Sequence, residues 1–230
     1  FGHTLQAGLE KACTREGGTK VGGDLTPLCP PAFSAYLIKA QAAPPDVIVF
    51  TLAGDDMVPA LKQAVQFGLH KRFHLAGAQQ ELEALIGLPP EARVGYWVFE
   101  WYWDQPGVPH VAEFVAAIKA KTGSVPTART WFGFASTWTC ALAANGAKSL
   151  DAVKMAKFLQ DYKLPPEVAL MRDAPFFRAG RNQLIPDLFV GEAQAGGATP
   201  ASLFRVTDVV KGLGAAGTVE ESGCKMTWPA

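Results

Sequence analysis

No stretch of this sequence approaches the roughly 20 consecutive apolar residues that a membrane-spanning helix needs. Charge of one sign is also missing: Lys plus Arg number 21, and Asp plus Glu number 21. Without a basic stripe there is no electrostatic case for nucleic acid or for an anionic membrane surface. The usual catalytic signatures are absent. Gly17-Gly18-Thr19-Lys20 has the wrong spacing for a Walker loop, and no GxSxG, HExxH or GxGxxG occurs. No catalytic residue and no cofactor is therefore assigned, and a binding protein is expected rather than an enzyme. Cysteine is sparse. Cys13, Cys29, Cys140 and Cys224 form neither CxxC nor a zinc spacing. They read either as small buried apolar side chains or as one or two disulfides of an oxidising compartment, with Cys13–Cys29 and Cys140–Cys224 one of three connectivities that the sequence leaves open. His70 and His74 stand four apart, but Gly68 ends the helix before them and His74 falls in a strand, so no metal site is assigned.

What is present suits a packed globular core: 230 residues, 49% hydrophobic and 18% charged. Leu5, Leu9, Ala12 and Cys13 share one face of a helix over 4–16, which Gly17 and Gly18 close. A short strand is expected at Lys20–Leu25, then a helix over Phe33–Gln41 with Phe33, Tyr36 and Leu37 inward. Pro44 and Pro45 stop that helix. The run Asp46–Leu52, DVIVFTL, predicts a central parallel strand buried on both faces. Asp55 and Asp56 lead into a helix with Leu61, Ala64 and Val65 inward, closed by Gly68. A strand at Arg72–Ala76, a short helix at Gln80–Ile86 and a long aromatic strand at Val94–Trp103 follow. Strands and helices in strict alternation imply an α/β architecture with a parallel sheet and right-handed crossovers.

After Asp104 the pattern becomes helical. Pro109 opens a helix that carries Val111, Phe114, Val115 and Ile118 and ends at Gly123. A second helix runs over Thr130–Ala144 with Trp131, Phe134, Ala135, Trp138 and Leu142 at helical spacing, and Asn145-Gly146 ends it. Ser149 is expected to cap a third, to about Leu159. These apolar faces lack a sheet of their own. Strands are expected at Phe176–Phe177, Leu184–Val190 and Leu203–Val210, with turns at Arg178–Asn182 and Gly196–Pro200.

In an open parallel sheet a ligand sits beyond the carboxyl ends of the strands. Those ends are Ala53-Gly54-Asp55, Gly77-Ala78-Gln79 and Glu100-Trp101-Tyr102. Small residues there let a ligand approach the backbone, and helix N-termini behind them offer free N–H groups suited to a carboxylate. Each has a structural alternative: Asp55 and Asp56 as N-caps, Gln79 as a loop residue, and one set of the alternating aromatics as core. The set facing the cleft would stack on an apolar or aromatic ligand.

Several segments in this order resemble the periplasmic leucine/isoleucine/valine-binding proteins. They are FSAYLIKAQAAPPDVIVF at 33–50, LKQAVQFGL at 61–69, YWD at 102–104, TWFGFAS at 130–136 and RAGRNQLIPDLFV at 178–190. The opening FGH resembles the family's YG at the first helix of its second lobe. The resemblance implies the type I periplasmic binding fold, Rossmann-like parallel-sheet lobes joined by a hinge, with the first lobe's sheet largely absent from this chain. It implies that 1–104 is most of the second α/β lobe, that 105–175 holds helices returning to the first lobe, and that 176–230 holds hinge-crossing strands and the tail. It also implies a longer natural protein, truncated here at its N-terminus. The implied function is that of a periplasmic solute receptor of an ABC importer. It would hold a small amino acid or related apolar or aromatic carboxylate in an interlobe cleft and deliver it to a permease in the inner membrane. A ligand-sensing domain of a receptor or regulator is the alternative.

Carried across residue by residue, the family's ligand-facing Tyr is matched by Ala53. Its ammonium-holding Glu is matched by Gln79, and its aromatic contact near the returning helix by Trp131. The candidate ligand-binding residues are Ala53, Gly54, Asp55, Gln79, Trp101 and Trp131. An amide cannot neutralise an ammonium as a carboxylate does, so the site is expected to be roomier and less charged than an amino-acid site.

Overall fold

The β-branched run at Val47–Val49 forms strand β1, followed by β2 at His74–Gly77 and β3 at Tyr96–Phe99. β1 pairs parallel with β2 in the register Ile48 to Leu75, and β2 pairs parallel with β3 in the register Gly77 to Trp97. The computed structural model describes every residue except 196, 198, 200, 201 and 230. Within it the chain forms two compact units, Phe1–Phe99 with Val190–Asp208, and Glu100–Phe189 with Val209–Ala230. It passes from one to the other after Phe99, Phe189 and Asp208.

The first unit is built on that sheet. α1 spans Gly2–Arg15 and α2 spans Ser34–Ala42. α3, Met57–Gln66, turns Met57, Ala60, Leu61 and Ala64 into the core, and Gly68 at φ +69° follows its end. Pro59 is tolerated because it lies in the first turn, where no intrahelical N–H bond is lost. α4, Leu82–Gly87, buries Leu82, Ala84 and Leu85. Beyond β3 the sheet continues with β6, Leu188–Ala193, and β7, Phe204–Val210, in the order β1-β2-β3-β6-β7. Ala193 N–H donates to Gly95 O at 2.9 Å, and Gln194 N–H donates to Leu203 O at 2.8 Å. Phe99 meets Phe204 edge to face at 4.6 Å.

Strand alternation puts Leu75, Gly77, Trp97 and Phe99 on a buried face. The opposite face carries Val47, Val49 and Tyr96, each more than 40% exposed. β1 is thus an edge strand covered on one face, not the central strand buried on both that its composition suggested. A β-branched run reports strand propensity and not the number of faces covered. The strand expected at Lys20–Leu25 does not form. Those residues are exposed, carry two glycines, and are tied only by Lys20 to Glu10 and by Lys39 to Asp24, both at 2.5 Å. The long aromatic strand is also cut short, because the backbone leaves the first unit after Phe99.

The second unit packs helices around aromatic rings. α5 spans Val111–Thr122 and ends at Gly123, φ +76°. α6 spans Ala128–Ala147 and opens on a capping box between Thr127 and Thr130. The helix runs past Asn145-Gly146 and ends at Lys148, φ +50°. α7, Ala152–Phe158, is capped by Asp151, whose carboxylate accepts from Lys154 N–H at 2.9 Å. Ser149, expected in that role, accepts instead from Asp151 N–H at 3.0 Å. α8 is the short Pro166–Ala169. β4, Phe176–Arg178, and β5, Gln183–Ile185, make an antiparallel hairpin across the expected turn. α9, Gly212–Ala215, follows β7. Pro186-Asp187 separates β5 from β6, where one strand was expected. The turn expected over Gly196–Pro200 includes residues outside the described ones. All four cysteines are free and exposed, so neither burial nor pairing describes them.

Candidate functional site

Because β1 and β2 are parallel neighbours, the loops after them emerge on the same edge of the sheet. Leu52, Ala53, Gly54, Met57, Gln79, Gln80 and Glu81 line a shallow depression there. Three of the expected residues, Ala53, Gly54 and Gln79, are thereby brought together. The backbone is specialised at both ends. Gly54 takes φ +56° with nothing within 4 Å of where a Cβ would stand. Gly77, which ends β2, has no room for one: a Cβ would lie 2.6 Å from the Trp97 ring and 2.8 Å from Phe50 O. The sheet can carry its loop this close to β1 only through a residue without a side chain.

Asp55 is exposed and lies in the single 3₁₀ turn Gly54–Asp56, outside the lining. Neither it nor Asp56 caps α3 through its side chain. Asp56 instead accepts from Cys29 N–H at 3.1 and 3.3 Å, fixing the segment before α2. Cys29 itself sits at φ +49°.

Trp101 and Trp131 lie in the second unit, and they meet. Their rings stack at 6.4 Å with 6° between planes, and Phe114 stands edge-on to Trp101 at 5.8 Å. Only 1% and 0% of their surfaces are exposed, so neither ring presents a face to solvent in this structure. Their N–H groups are also engaged. Trp101 Nε1 donates to Leu170 O at 2.9 Å, and Trp131 Nε1 donates to Ala169 O at 3.1 Å and Val168 O at 3.3 Å. These are carbonyls at the end of α8, the groups that a helix terminus leaves without partners. Indole donors fill that need in an apolar setting, where an unmet carbonyl would be costly.

Sequence reasoning missed Met57, Gln80 and Glu81. Met57 is 1% exposed and forms the floor on the helix side. Gln80 is 2% exposed; its Oε1 accepts from Glu81 N–H at 2.9 Å, and its Nε2 is buried with no partner. Glu81, two positions after Gln79, also lines the depression. The one usable signal was the position of all three beside the strand ends. Elsewhere, burial first and then the charge of Asp104 push the Tyr102 hydroxyl up to about 12. Burial, with the neighbouring Lys71, pulls His70 below the usual imidazole range. Among the described residues no group of three or more His, Cys, Asp or Glu side chains is arranged to hold a metal ion.

A family model described as periplasmic binding protein matches residues 1–198. The chain belongs to the periplasmic binding protein family. Its fold is that of the type I periplasmic binding proteins, with a mixed α/β build on a sheet whose first three strands are parallel. Solved family members resemble it closely in shape. A periplasmic binding protein from Burkholderia mallei has a TM-score of 0.86 at 24% identity, over 97% of this chain and 59% of its own. An amino acid ABC transporter substrate-binding protein from Pseudomonas fluorescens Pf-5 has a TM-score of 0.84 at 25% identity, over 98% of this chain and 60% of its own. A branched chain amino acid ABC transporter periplasmic ligand-binding protein from Burkholderia xenovorans LB400 has a TM-score of 0.78 at 24% identity, over 95% and 58%. The chain thus spans about three fifths of the length of these relatives. No curated protein matches it.

Proposed function

We propose that this protein is a solute-binding receptor of an ABC importer. It captures a small amino acid or a related apolar or aromatic carboxylate in the periplasm and delivers it to a permease of the inner membrane. The observation that carries this reading is the depression at the ends of β1 and β2, formed in a chain of this family by Ala53, Gly54, Met57, Gln79, Gln80 and Glu81. Such strand ends are where open α/β sheets take ligands. The amino-acid name borne by the Pseudomonas fluorescens relative supports the ligand class. In this reading residues 1–104 belong to one lobe, 105–175 to the other, and 176–230 to the strands and tail that follow. The ligand leaves chemically unchanged.

The test is a thermal-shift panel of branched-chain and aromatic amino acids, aromatic carboxylates, short fatty acids and amides. A ligand at about 100 times its dissociation constant adds roughly 2.7 kcal/mol to the folded state. A shift confined to one class, with the ligand recovered intact, supports the proposal. A flat panel, or conversion of the ligand, sinks it.

A further inference from the structure

A buried polar side chain normally has its hydrogen bonds met, and one left unmet calls for a physical reason. Gln80 is such a case. Its carboxamide is oriented by the Glu81 N–H, which takes the oxygen. That fixes the nitrogen as the remaining group, because the two ends of an amide are told apart by their partners. The Nε2 is buried and has no partner, and the residue lines the depression with Ala53, Gly54 and Met57. No other polar group among the described residues has taken up the donor.

We propose that Gln80 is the specificity-determining donor of this site, kept unpaired so that a carboxylate or carbonyl oxygen of the ligand completes it. This rests on the receptor reading above and deepens it. A site that holds a donor in readiness discriminates strongly against a molecule lacking the acceptor, since binding such a molecule seals the donor unmet. Apolar bulk alone discriminates far less. The inference therefore sets a ligand class: the part that reaches the β1 and β2 loops carries an acceptor oxygen, and an amine without one is rejected.

Calorimetric titration of the full chain at pH 8 tests this with two matched pairs of probes, L-leucine against isoamylamine and benzoate against benzylamine. The wild type should bind at least one acceptor-bearing probe more than about tenfold tighter than its amine, the scale of a hydrogen bond to a charged group. Gln80→Met, which keeps the volume but removes both the donor and the acceptor used by Glu81 N–H, should erase that margin. Should Gln80→Met fail to fold, Gln80→Glu keeps the acceptor for Glu81 N–H, replaces the nitrogen by an oxygen, and should show the same loss. If either folded variant keeps the wild-type margin to within twofold, the role of Gln80 is wrong and the receptor reading survives. Amines bound as well as acids by the wild type would also overturn it. If no probe binds the wild type and the wider panel is flat, the receptor reading falls and Gln80 falls with it.

Discussion

The two units solve the problem of burying tryptophan in different ways. In the first, Trp97 lies on the covered face of a sheet, its N–H donating to Val94 O at 2.9 Å within its own turn of chain. In the second, Trp101 and Trp131 stack on each other, and their N–H groups reach across to the end of α8. One unit takes its order from the strand ladder, so its loops are free to be small and open at Ala53 and Gly54. The other has no comparable ladder; its order comes from side chains, and its indoles are fully committed to structure. The lesson is that aromatic content does not locate a binding surface. The two most conspicuous rings of the candidate site are those with the least surface to offer here.

The comparison can be broken most directly at Trp131. Trp131→Ala should destabilise the protein by about 3–5 kcal/mol, since it opens a cavity and strips two carbonyls of their donor. Hydrogen exchange should then show α6 and α8 losing protection before β2 and β3. Equal loss in both units would mean that they do not differ as described. Gly77→Ala is the counterpart in the first unit. Its Cβ meets the Trp97 ring and Phe50 O inside contact distance, and overpacking of that kind destabilises by about 1–3 kcal/mol. Urea unfolding followed by tryptophan fluorescence should register it, and ligand binding at the β2 loop should weaken with it. Thr127→Ala removes the capping box of α6 and should lower stability by about 1 kcal/mol. Thr127→Ser should restore most of that, and a variant pair with equal midpoints would deny the cap its role.

The smallest effect concerns Lys211, which pairs with Asp173 and, at 3.0 Å, with Asp187. Its bonds to the two carboxylates hold the ammonium above its usual range, and the bond from Lys211 holds the Asp173 carboxyl below its own. The contribution of Asp173 is present above the unfolded carboxylate pKa and is lost as pH falls through its lowered folded value. That of Lys211 is present below the unfolded amine pKa and is lost as pH rises through its raised one. Both groups face water, so screening keeps the pairing weak. Lys211→Met should slightly flatten the acid limb of the stability profile, and an unchanged limb would show that the pair contributes nothing.

Much of the alternating half was legible because periodicity and capping chemistry are local. The run VIV, the helix face of Leu61 and Ala64 closed by Gly68, and the stop of α5 at Gly123 all follow from neighbouring residues. What failed depended on distant partners. Residues 94–103 have a strand's apolar, aromatic composition throughout, yet only Tyr96–Phe99 form the strand, because Trp101 and Tyr102 are claimed by another core. Lys20–Leu25 had a strand's length and no neighbour. In the site, Ala53, Gly54 and Gln79 were accessible from the rule that places ligands at strand ends. Gln80 was not. Two adjacent glutamines look alike in a sequence, and only packing shows that one is sealed with its nitrogen unmet.

The crossing of the chain between units after Phe99, Phe189 and Asp208 has a consequence for synthesis on the ribosome. The first three strands emerge early, but the residue that closes on Gly95 is Ala193. Until that segment is made, β3 has an open edge, and Phe99 lacks the Phe204 ring that covers it. Pairing over so long a loop is slow and exposes strand edges in the interval. The nascent first unit must therefore wait, half-built, for nearly the whole of the second to be translated. A chaperone that shields strand edges would find an additional target there, the open edge of β3 that β6 later covers.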